Sequence, residues 1–263
     1  MATVIAVYNF KGGVGKTTTS FHLAHNLKNE FRVLAIDCDP QANLSTAFLH
    51  ASDQKNNIYY YLTRLIHNHS FDIIPEAYSP HLHVIPGSSE MIDLESNNQF
   101  IEFGSNIFDR LLAMLDHQYD YIIIDCPSYF GKIVQYTIAN SNELLIPMTP
   151  DIFSIRGAAK LIKNLKKIQQ IRSLNILGLF YNRFRSRFKY HQKVRIFTRK
   201  LFGPIFIEKF IRNTVKVSES LDKEEVNQNN GVPAGLTTDY QILTAELISR
   251  INSRKSVAHT LLQ

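Results

Sequence analysis

The chain has 263 residues, of which 44% are hydrophobic and 20% are charged, with 29 Lys and Arg against 23 Asp and Glu. This ordinary apolar fraction excludes a disordered chain, a collagen-like repeat and a coiled coil as descriptions of the whole protein. No run of 18 apolar residues indicates a membrane-spanning helix, and two cysteines are too few for a disulfide framework or a zinc site. Because the first residues carry no export signal, we expect a cytoplasmic protein.

Apolar, β-branched segments alternate with longer helical patterns along the chain. The predicted strands are Thr3–Tyr8, Arg32–Ile36, His83–Ile85, Tyr121–Ile124, Glu143–Met148 and Asn175–Tyr181. The predicted helices are Thr17–Leu27 and segments near residues 103–115, 133–140, 156–170 and 189–201. Nearly continuous hydrophobic strands separated by helices are typical of a parallel sheet that is covered on both faces. The sequence therefore predicts an α/β fold with a doubly wound, mostly parallel sheet.

No internal repeat or low-complexity linker divides the chain, so we predict a single domain over residues 1–263. A last helix is predicted at about residues 238–252. Its apolar side chains recur at helical spacing, at Tyr240, Leu243, Leu247 and Ile251. We expect this stripe to pack on the sheet. The tail after it, KSVAHTLLQ, lacks the large apolar face and the cationic residues of a membrane-binding helix.

A glycine-rich turn joins the first predicted strand to the first predicted helix, with the sequence NFKGGVGKTT over residues 9–18. Backbone N–H groups in such a turn point at phosphate oxygens, and the positive end of the helix dipole adds attraction. Lys16 can reach the β- and γ-phosphates of a nucleotide, and the Thr17 hydroxyl can ligate Mg²⁺. The turn therefore predicts a Mg–nucleotide site.

The turn departs from the strict GxxxxGK[ST] pattern, because Phe10 stands five positions before Gly15. Beside it, a second lysine, Lys11, begins the turn. A side chain there points away from the phosphates held by its own loop, or it crowds them. It would be useful if it reached the nucleotide of a facing subunit, where it could supply positive charge as an arginine finger does.

Three aspartates follow two of the predicted strands. Asp125 follows YIII, where a carboxylate can hold Mg²⁺, usually through a water. Asp37 and Asp39 follow RVLAI in the sequence IDCDPQAN. An acid in such a place can also cap a helix, but ligands bind at the carboxyl ends of strands in open α/β sheets. Together with the turn, these acids predict one Mg–nucleotide site.

Five segments together resemble the ParA/Soj partition ATPases of the deviant Walker A group, which also contains MinD. These segments are KGGVGKTTTS, VLAIDCDPQANLS, YDYIIIDCPS, ELLIPMTPDIFSIRG and IRNTVKVSESL, and the resemblance extends from residue 3 to about residue 250. It implies a P-loop NTPase fold of the deviant Walker A type, with ATP and Mg²⁺ as cofactors. It also implies an ATP-sandwich homodimer in which Lys11 of each subunit touches the nucleotide of the other.

The resemblance also assigns roles to single residues. It implies catalytic roles for Lys11, Lys16 and Asp39, of which Asp39 orients the attacking water. Asn182 matches the position that commonly contacts the adenine base. The nucleotide-binding residues that follow from the motif are Lys11, Gly12, Gly13, Val14, Gly15, Lys16, Thr17, Thr18 and Asn182.

The same motif matching gives the metal site. Asp125 corresponds to the Walker B acid, Thr17 ligates Mg²⁺, and Asp37 supports the shell around the metal. The chain departs from the family pattern at Ser128, where many members have a second proline, so we expect the loop after Asp125 to move differently. Near Gly231–Asp239 the chain is several residues shorter than its relatives and lacks an arginine often found there for DNA contact.

The net charge of +6 is distributed unevenly along the sequence. Residues 1–155 carry 8 basic and 16 acidic residues, whereas residues 156–207, here named the basic segment, carry 14 basic residues and no acidic one. The remaining residues carry seven of each sign. A solvated surface usually mixes both signs, so a stretch without acids favours a polyanionic partner.

We predict non-specific DNA binding by the basic segment. Residues 183–200 hold eight Lys and Arg, and helical spacing puts Lys160, Lys163 and Lys167 on one face. A duplex backbone needs charge rather than stacking, so the interleaved aromatics are expected to face the core. These aromatics are Phe184, Phe188, Tyr190 and Phe197. The resemblance points to Arg195, Arg199 and Lys200 as the residues nearest the DNA-contacting arginine of the family.

The leading hypothesis is a nucleoid-associated ATPase that partitions plasmid or chromosome DNA. ATP joins two subunits, their basic faces bind DNA, and hydrolysis stimulated by a ParB-like partner releases them. The alternatives are a MinD-like ATPase at a membrane surface, a ParA-like ATPase that positions a protein cargo, and a metabolic enzyme with the same ATP core. We expect no stable membrane association, and the sequence offers no cysteine ligand set or candidate nucleophile for a metabolic enzyme.

Overall fold

One sheet of eight strands crosses the part of the chain that the structure, a computed structural model, describes. These are residues 1–49, 55–169, 174–213 and 234–260, without the side chains of 166–169, 234–236 and 257–260. Three segments considered above therefore lie outside the described residues: 214–221 of IRNTVKVSESL, 231–233 of the shortened segment, and the Lys167 side chain.

The sheet is parallel except at one edge. Its order is β3-β4-β2-β5-β1-β6-β7-β8, and of these described strands β3 alone runs antiparallel to its neighbour, β4. The strands are β1 (Thr3–Val7), β2 (Val33–Asp37), β3 (Glu76–Ser79), β4 (Leu82–Ile85), β5 (Tyr121–Asp125), β6 (Glu143–Met148), β7 (Asn175–Phe184) and β8 (Phe206–Arg212). The predicted mostly parallel sheet is confirmed.

Helices cover both faces of the sheet. They are α1 (Lys16–Leu27), α2 (Asn43–Leu49), α3 (Ile58–Ile66), α4 (Asn98–Leu115), α5 (Lys132–Ala139), α6 (Ile152–Gln169), α7 (Lys189–Phe202) and α8 (Ala234–Thr260), with 3₁₀ turns at Ser89–Ser96 and Gly203–Ile205. One face packs against α1, α2 and α8, and the other against α3 to α7. The sheet is therefore doubly wound.

Alternation along the strands explains why the buried strands are apolar throughout. In β1, Ile5 and Val7 face the core under α1 and α8, whereas Val4 and Ala6 face the opposite core. Successive side chains of a strand point to opposite faces, and both faces are covered by helices. Among the described strands, aspartates occur only as the last residues of β2 and β5, where both are buried.

Some elements differ from the prediction. The edge strand β8 was not predicted, because Glu208 and Lys209 interrupt the apolar run of its sequence, FIEKFIR. The short edge strand β3 and the helices α2 and α3 were also not predicted. The last helix is longer than the predicted 238–252, and its apolar stripe lies in the core on the α1 side of the sheet.

The strand order opens an edge for a ligand. From β1 the sheet extends through β5 and β2 on one side and through β6, β7 and β8 on the other. In this order Asp37 stands directly opposite Asp125 on adjacent parallel strands. The strand order changes direction at β1, and such a switch point leaves a crevice at the carboxyl ends of the strands. No helix among the described residues is both long and apolar enough to cross a membrane.

Candidate active site

The glycine-rich turn lies between the end of β1 and the start of α1. Gly13 and Gly15 have φ angles of 71° and 88°, in the left-handed region that favours glycine. A Cβ atom on Gly15 would also lie 2.1 Å from Asn182 Nδ2. Gly15 is the residue before α1, and no side chain of the described residues caps this helix end. The first amides of α1 are therefore free of a side-chain cap at a helix end that attracts anions.

Lys16 is a buried cation at this helix end. Its side chain is turned to the opposite loop, where Nζ lies 2.7 Å from Ser128 Oγ. Burial lowers the pKa of Lys16, and the nearby charges of Asp125 and Asp39 oppose this shift. Within the described residues Lys16 has no carboxylate at ion-pair distance, so an added anion would find an unneutralised ammonium there.

Asp125 is fully buried at the end of β5 and faces the first turn of α1. Its Oδ2 accepts a hydrogen bond of 2.7 Å from the Thr17 hydroxyl, and its Oδ1 accepts one of 2.9 Å from Ser20. Burial, followed by the charge of Asp37, raises the pKa of Asp125 to about 8. Because burial and Asp37 destabilise the charged form of Asp125, a cation beside it would stabilise the carboxylate.

Asp37 is equally buried at the end of β2. Its Oδ2 accepts hydrogen bonds from the backbone N–H and the hydroxyl of Ser45, at 2.8 and 2.6 Å. Burial raises the pKa of Asp37 to about 6, although these hydrogen bonds lower it. Two adjacent buried carboxylates and the Thr17 hydroxyl are oxygen donors that suit Mg²⁺. Across the described ranges no group of three His, Cys, Asp or Glu side chains is placed to hold a metal alone, so further oxygens must come from a ligand or water.

Asp39 lies at the mouth of the same edge and is half-buried. Its N–H donates to Asp37 Oδ1 at 3.1 Å, and its Oδ1 accepts from the N–H of Gln41 at 3.0 Å. Among the residues described, its Oδ2 makes no hydrogen bond. The structure therefore brings Asp39 to the edge formed by β2 and β5, with one carboxylate oxygen available.

The Lys11 side chain is directed away from the rest of the glycine-rich turn, which is also called the phosphate loop below. Its Nζ lies 2.8 Å from Asp151 Oδ2 and 3.2 Å from Thr149 Oγ1, just after β6. Burial alone would raise the pKa of Asp151, but the hydrogen bonds from Lys11 and Thr149 keep it below its usual value. The two lysines of the loop thus occupy different places, one inside the site and one at its rim.

Asn182 lies against the loop itself. Its Nδ2 donates to the Val14 carbonyl at 3.2 Å and to the Tyr240 hydroxyl at 3.4 Å. The next residue, Arg183, has a φ angle of 56°, which is uncommon outside glycine. The pairing of β7 with β8 shifts register between Tyr181 and Phe184, and Asn182 is buried there beside Val14 and Gly15.

Sequence reasoning missed several partners of the predicted site. Ser20 stands three residues after Thr17, a helical spacing that puts both hydroxyls on the Asp125 side of α1. Ser45 belongs to α2, which was not predicted, and Asp151 and Ser128 reach the loop lysines from distant parts of the sequence. Of these partners, only Ser20 could have been predicted from the sequence, by its helical spacing from Thr17.

The basic segment includes β7 and α7. Arg195 pairs with Glu208 of β8 at 2.6 Å and lies 5.5 Å from the centre of the Phe210 ring. Arg199 approaches the same carboxylate at 3.3 Å with 73% of its side chain exposed, and Lys200 is exposed. Of the three predicted DNA contacts, Arg195 is therefore the most involved in the fold.

The interpretation that the aromatics of this segment face the core is wrong for three of the four. Phe184 is buried, but Phe188, Tyr190 and Phe197 are 51%, 45% and 49% exposed. The reason is that α7 buries only a narrow stripe, with Val194 and Thr198 at its centre. Most of the other side chains of the helix are partly or fully exposed.

Comparisons with known proteins identify the family of the chain. Residues 2–176 match the AAA domain family. The virulence plasmid ParA family protein pGP5-D of Chlamydia psittaci is 30% identical, covering 98% of this chain and 99% of that protein. The chromosome-partitioning ATPase Soj of Treponema pallidum is 26% identical, covering 97% of this chain and all of Soj.

Among solved structures, apo McdA of Cyanothece has a TM-score of 0.81 at 21% identity, covering 94% of this chain and all of that one. A McdA–ATP complex has a TM-score of 0.78 at 21% identity, covering 94% of this chain and 96% of that one. These likenesses support the fold, and the sequence matches support the family. The chain belongs to the ParA/Soj family of partition ATPases.

Proposed function

We propose that this ParA-type ATPase binds Mg–ATP at the carboxyl ends of β1, β2 and β5. The observation that carries the proposal is the pairing of two buried carboxylates, Asp37 and Asp125, across from Lys16 and Thr17. Thr17 and Asp125 would hold Mg²⁺, with Asp37 supporting them. Bound there, the metal would neutralise charge on the β- and γ-phosphates.

Phosphoryl transfer requires mainly positioning and positive charge. In this proposal Lys16 and the amides at the start of α1 bind the phosphates of their own subunit. Asp39, whose Oδ2 is available, orients the attacking water. Lys11 leaves Asp151 and contacts the nucleotide of a second copy, so that hydrolysis requires an ATP-dependent homodimer.

The dimer would bind DNA without sequence specificity through its basic segments. Support comes from the absence of any acidic residue between 156 and 207 and from the exposure of Arg199 and Lys200. Hydrolysis would release the DNA, and a ParB-like partner with a short basic peptide would stimulate it. The excess of acidic residues within residues 1–155 would provide charge complementary to such a peptide. The cargo would be a plasmid or a chromosome, and this activity would place the protein on the nucleoid in the cytoplasm.

Three variants test the ATP cycle. Lys16→Ala is expected to lose ATP binding, and Lys11→Ala to keep part of the ATP affinity but lose dimerisation and hydrolysis. Asp39→Ala is expected to retain ATP and to remain on DNA as a dimer. Calorimetry, light scattering and phosphate release measure the three steps. A Lys11→Ala variant that hydrolyses ATP at the wild-type rate would contradict the contact across the dimer.

A second candidate is binding to an anionic membrane surface, favoured by the exposed aromatics of α7. Phe197 and its neighbours Ile196 and Leu201 are about half exposed or more beside the lysines of the helix. Apolar and cationic side chains together suit a lipid surface. Co-sedimentation with phosphatidylglycerol vesicles, with and without ATP, separates the two candidates. Pelleting with vesicles but not with DNA would favour the membrane.

A further inference from the structure

We propose that the Ser128 hydroxyl recognises the γ-phosphate and makes the site discriminate between ATP and ADP. The inference rests on the proposed function, because it concerns the same nucleotide. It assigns a task to a side chain outside the glycine-rich turn and outside the metal-binding acids. The task follows from where Ser128 lies and from the chemistry of a hydroxyl.

Ser128 stands directly across from the phosphate loop. Its Oγ accepts a hydrogen bond of 2.7 Å from Lys16 Nζ. On the other side of the loop, a Cβ atom added to Gly12 would lie 3.9 Å from the same oxygen. Two separate parts of the loop thus face this hydroxyl, which puts it over the place where the Lys16 ammonium would meet a phosphate.

The loop that carries Ser128 is held in place by aromatic packing. Phe130 lies 5.2 Å from Phe10 and 5.8 Å from Tyr8, measured between ring centres. Phe10 belongs to the start of the glycine-rich turn, and Tyr8 directly follows β1. On the other side of Ser128, Asp125 is fixed by hydrogen bonds from α1. The backbone at Ser128 is therefore anchored at both ends to the nucleotide site.

A hydroxyl in this position can donate a hydrogen bond to an anion as well as accept one from a cation. Serine donates one hydrogen bond and accepts others, and a lysine ammonium has three donors. As Ser128 accepts from Lys16, its own proton is free, and it makes no second hydrogen bond within the described residues. One change of rotamer carries the hydroxyl from the ammonium toward an oxygen that the ammonium binds. An alanine could not make this contact.

The contact should be specific for the third phosphate. Lys16 reaches the β- and γ-phosphates from the loop side. Ser128 approaches from the end of β5, on the side of Asp125 and Asp39, where the metal and the attacking water are proposed. ADP has no phosphate there. Removing the hydroxyl should therefore weaken ATP binding and leave ADP binding nearly unchanged.

Calorimetry with a non-hydrolysable ATP analogue and with ADP, both with Mg²⁺, tests the proposal without relying on turnover. For Ser128→Ala we expect about tenfold weaker analogue binding, the effect of one hydrogen bond to a charged group, with ADP affinity within about twofold. Ser128→Thr keeps the hydroxyl and should retain the preference for the analogue. Ser253→Ala, an exposed serine of α8, is the matched control and should leave both affinities unchanged.

The outcomes separate this inference from the proposed function. Equal weakening of both nucleotides in Ser128→Ala would mean that Ser128 only positions Lys16, and no change would mean that it has no role. Either result overturns the inference while wild-type ATP binding stands. If the wild-type protein bound neither nucleotide, the proposed function itself would fail. Melting temperatures of the variants show whether a loss of affinity reflects misfolding.

Discussion

The two lysines of the phosphate loop have opposite surroundings. Lys16 is buried beside a neutral hydroxyl, whereas Lys11 is 41% exposed and pairs with Asp151. A buried ammonium gains most from an incoming phosphate. An exposed ion pair contributes only about 0.2–1 kcal/mol, so a stronger partner can replace it. Lys16 is therefore available to the nucleotide of its own subunit, whereas Lys11 must first leave Asp151.

Asp151→Asn should ease this release. Asparagine keeps the acceptor that caps α6 through the N–H of Ser154, but it removes the charge that holds Lys11. We expect ATP-dependent dimers to form at a protein concentration that is lower by about two- to fivefold, consistent with the small value of an exposed ion pair. Light scattering with a non-hydrolysable ATP analogue measures this.

The remote exposed pair between Arg32 and Asp120 offers a control. Asp120→Asn removes a comparable charge just before β5, at the strand end opposite to the one that carries Asp125, and should leave the dimer unchanged. Weaker dimers in Asp151→Asn would show that the carboxylate itself acts in the dimer, which is the opposite of a restraint on Lys11.

A buried histidine makes the protein sensitive to acid. Burial, followed by the charge of His25, lowers the pKa of His22 to about 3, and the His22 ring stacks on Tyr240 at 4.3 Å. Below pH 6.5 the unfolded chain therefore binds a proton that the folded chain does not. The contribution of His22 to stability is complete above pH 6.5 and falls as the pH drops toward 3, by up to about 1.4 kcal/mol per unit.

His22→Phe keeps an aromatic ring against Tyr240 and removes the titration. Between pH 6.5 and 5 the variant should lose less stability than the wild type, by up to roughly 3–5 °C in Tm per pH unit. Thermal melts at constant ionic strength measure the difference. Because His25 is also depressed, to about 4, part of the acid loss should remain. Identical pH profiles would refute the argument.

At the scale of elements, the central strands were predictable and the edges were not. β1, β2 and β5 are buried on both faces, so their sequences are largely apolar, and β2 and β5 each end with an aspartate. β8 carries Glu208 and Lys209 within its seven residues because it is an edge strand. Its place depends on pairing with β7 and on the Arg195 ion pair, which local periodicity does not reveal.

The same difference applies to the candidate site. Asp37 and Asp125 were predicted because strand ends in a parallel sheet meet at one edge, and the register puts them opposite each other. The partners of the loop lysines were not predicted. Ser128 and Asp151 lie 112 and 140 positions from Lys16 and Lys11, and no short motif encodes pairings over such distances.

We expect some basic residues of α7 to bind DNA and others to stabilise the fold. Lys200→Ala removes an exposed charge and should reduce the slope of log affinity against log salt by about 1 if Lys200 binds one phosphate. Arg195→Ala should change the slope less and lower Tm more, since Arg195 joins α7 to β8. Fluorescence anisotropy with duplex DNA measures the slopes. Lys55→Ala, an exposed lysine in the acid-rich part of the chain, is the control, and an equal effect there would argue against a DNA-binding surface on α7.

The whole molecule separates its charges along the sequence. Acids exceed bases by eight in residues 1–155, whereas the basic segment contains no acid. If two copies join around ATP, the two basic segments act together on one duplex. If they bind about 6–10 phosphates, DNA affinity should fall by roughly 10³–10⁵ between 50 and 200 mM salt.

This prediction is checked by anisotropy with ATP analogue and with ADP over that salt range. The slope with ADP should be about half as steep, because a lone subunit contributes one basic segment. Equal slopes with both nucleotides would show that the two segments do not bind DNA together.

Asn182 gives the molecule a late step in its assembly. One amide group reaches both the Val14 carbonyl and the Tyr240 hydroxyl, so residues near the two ends of the chain meet at the phosphate loop. A chain emerging from the ribosome completes its first strand and loop early, yet the support from Tyr240 is made only when α8 has been synthesised. Nascent chains that lack this helix should therefore fail to retain nucleotide, and competence for ATP should arise only after α8 has left the ribosome.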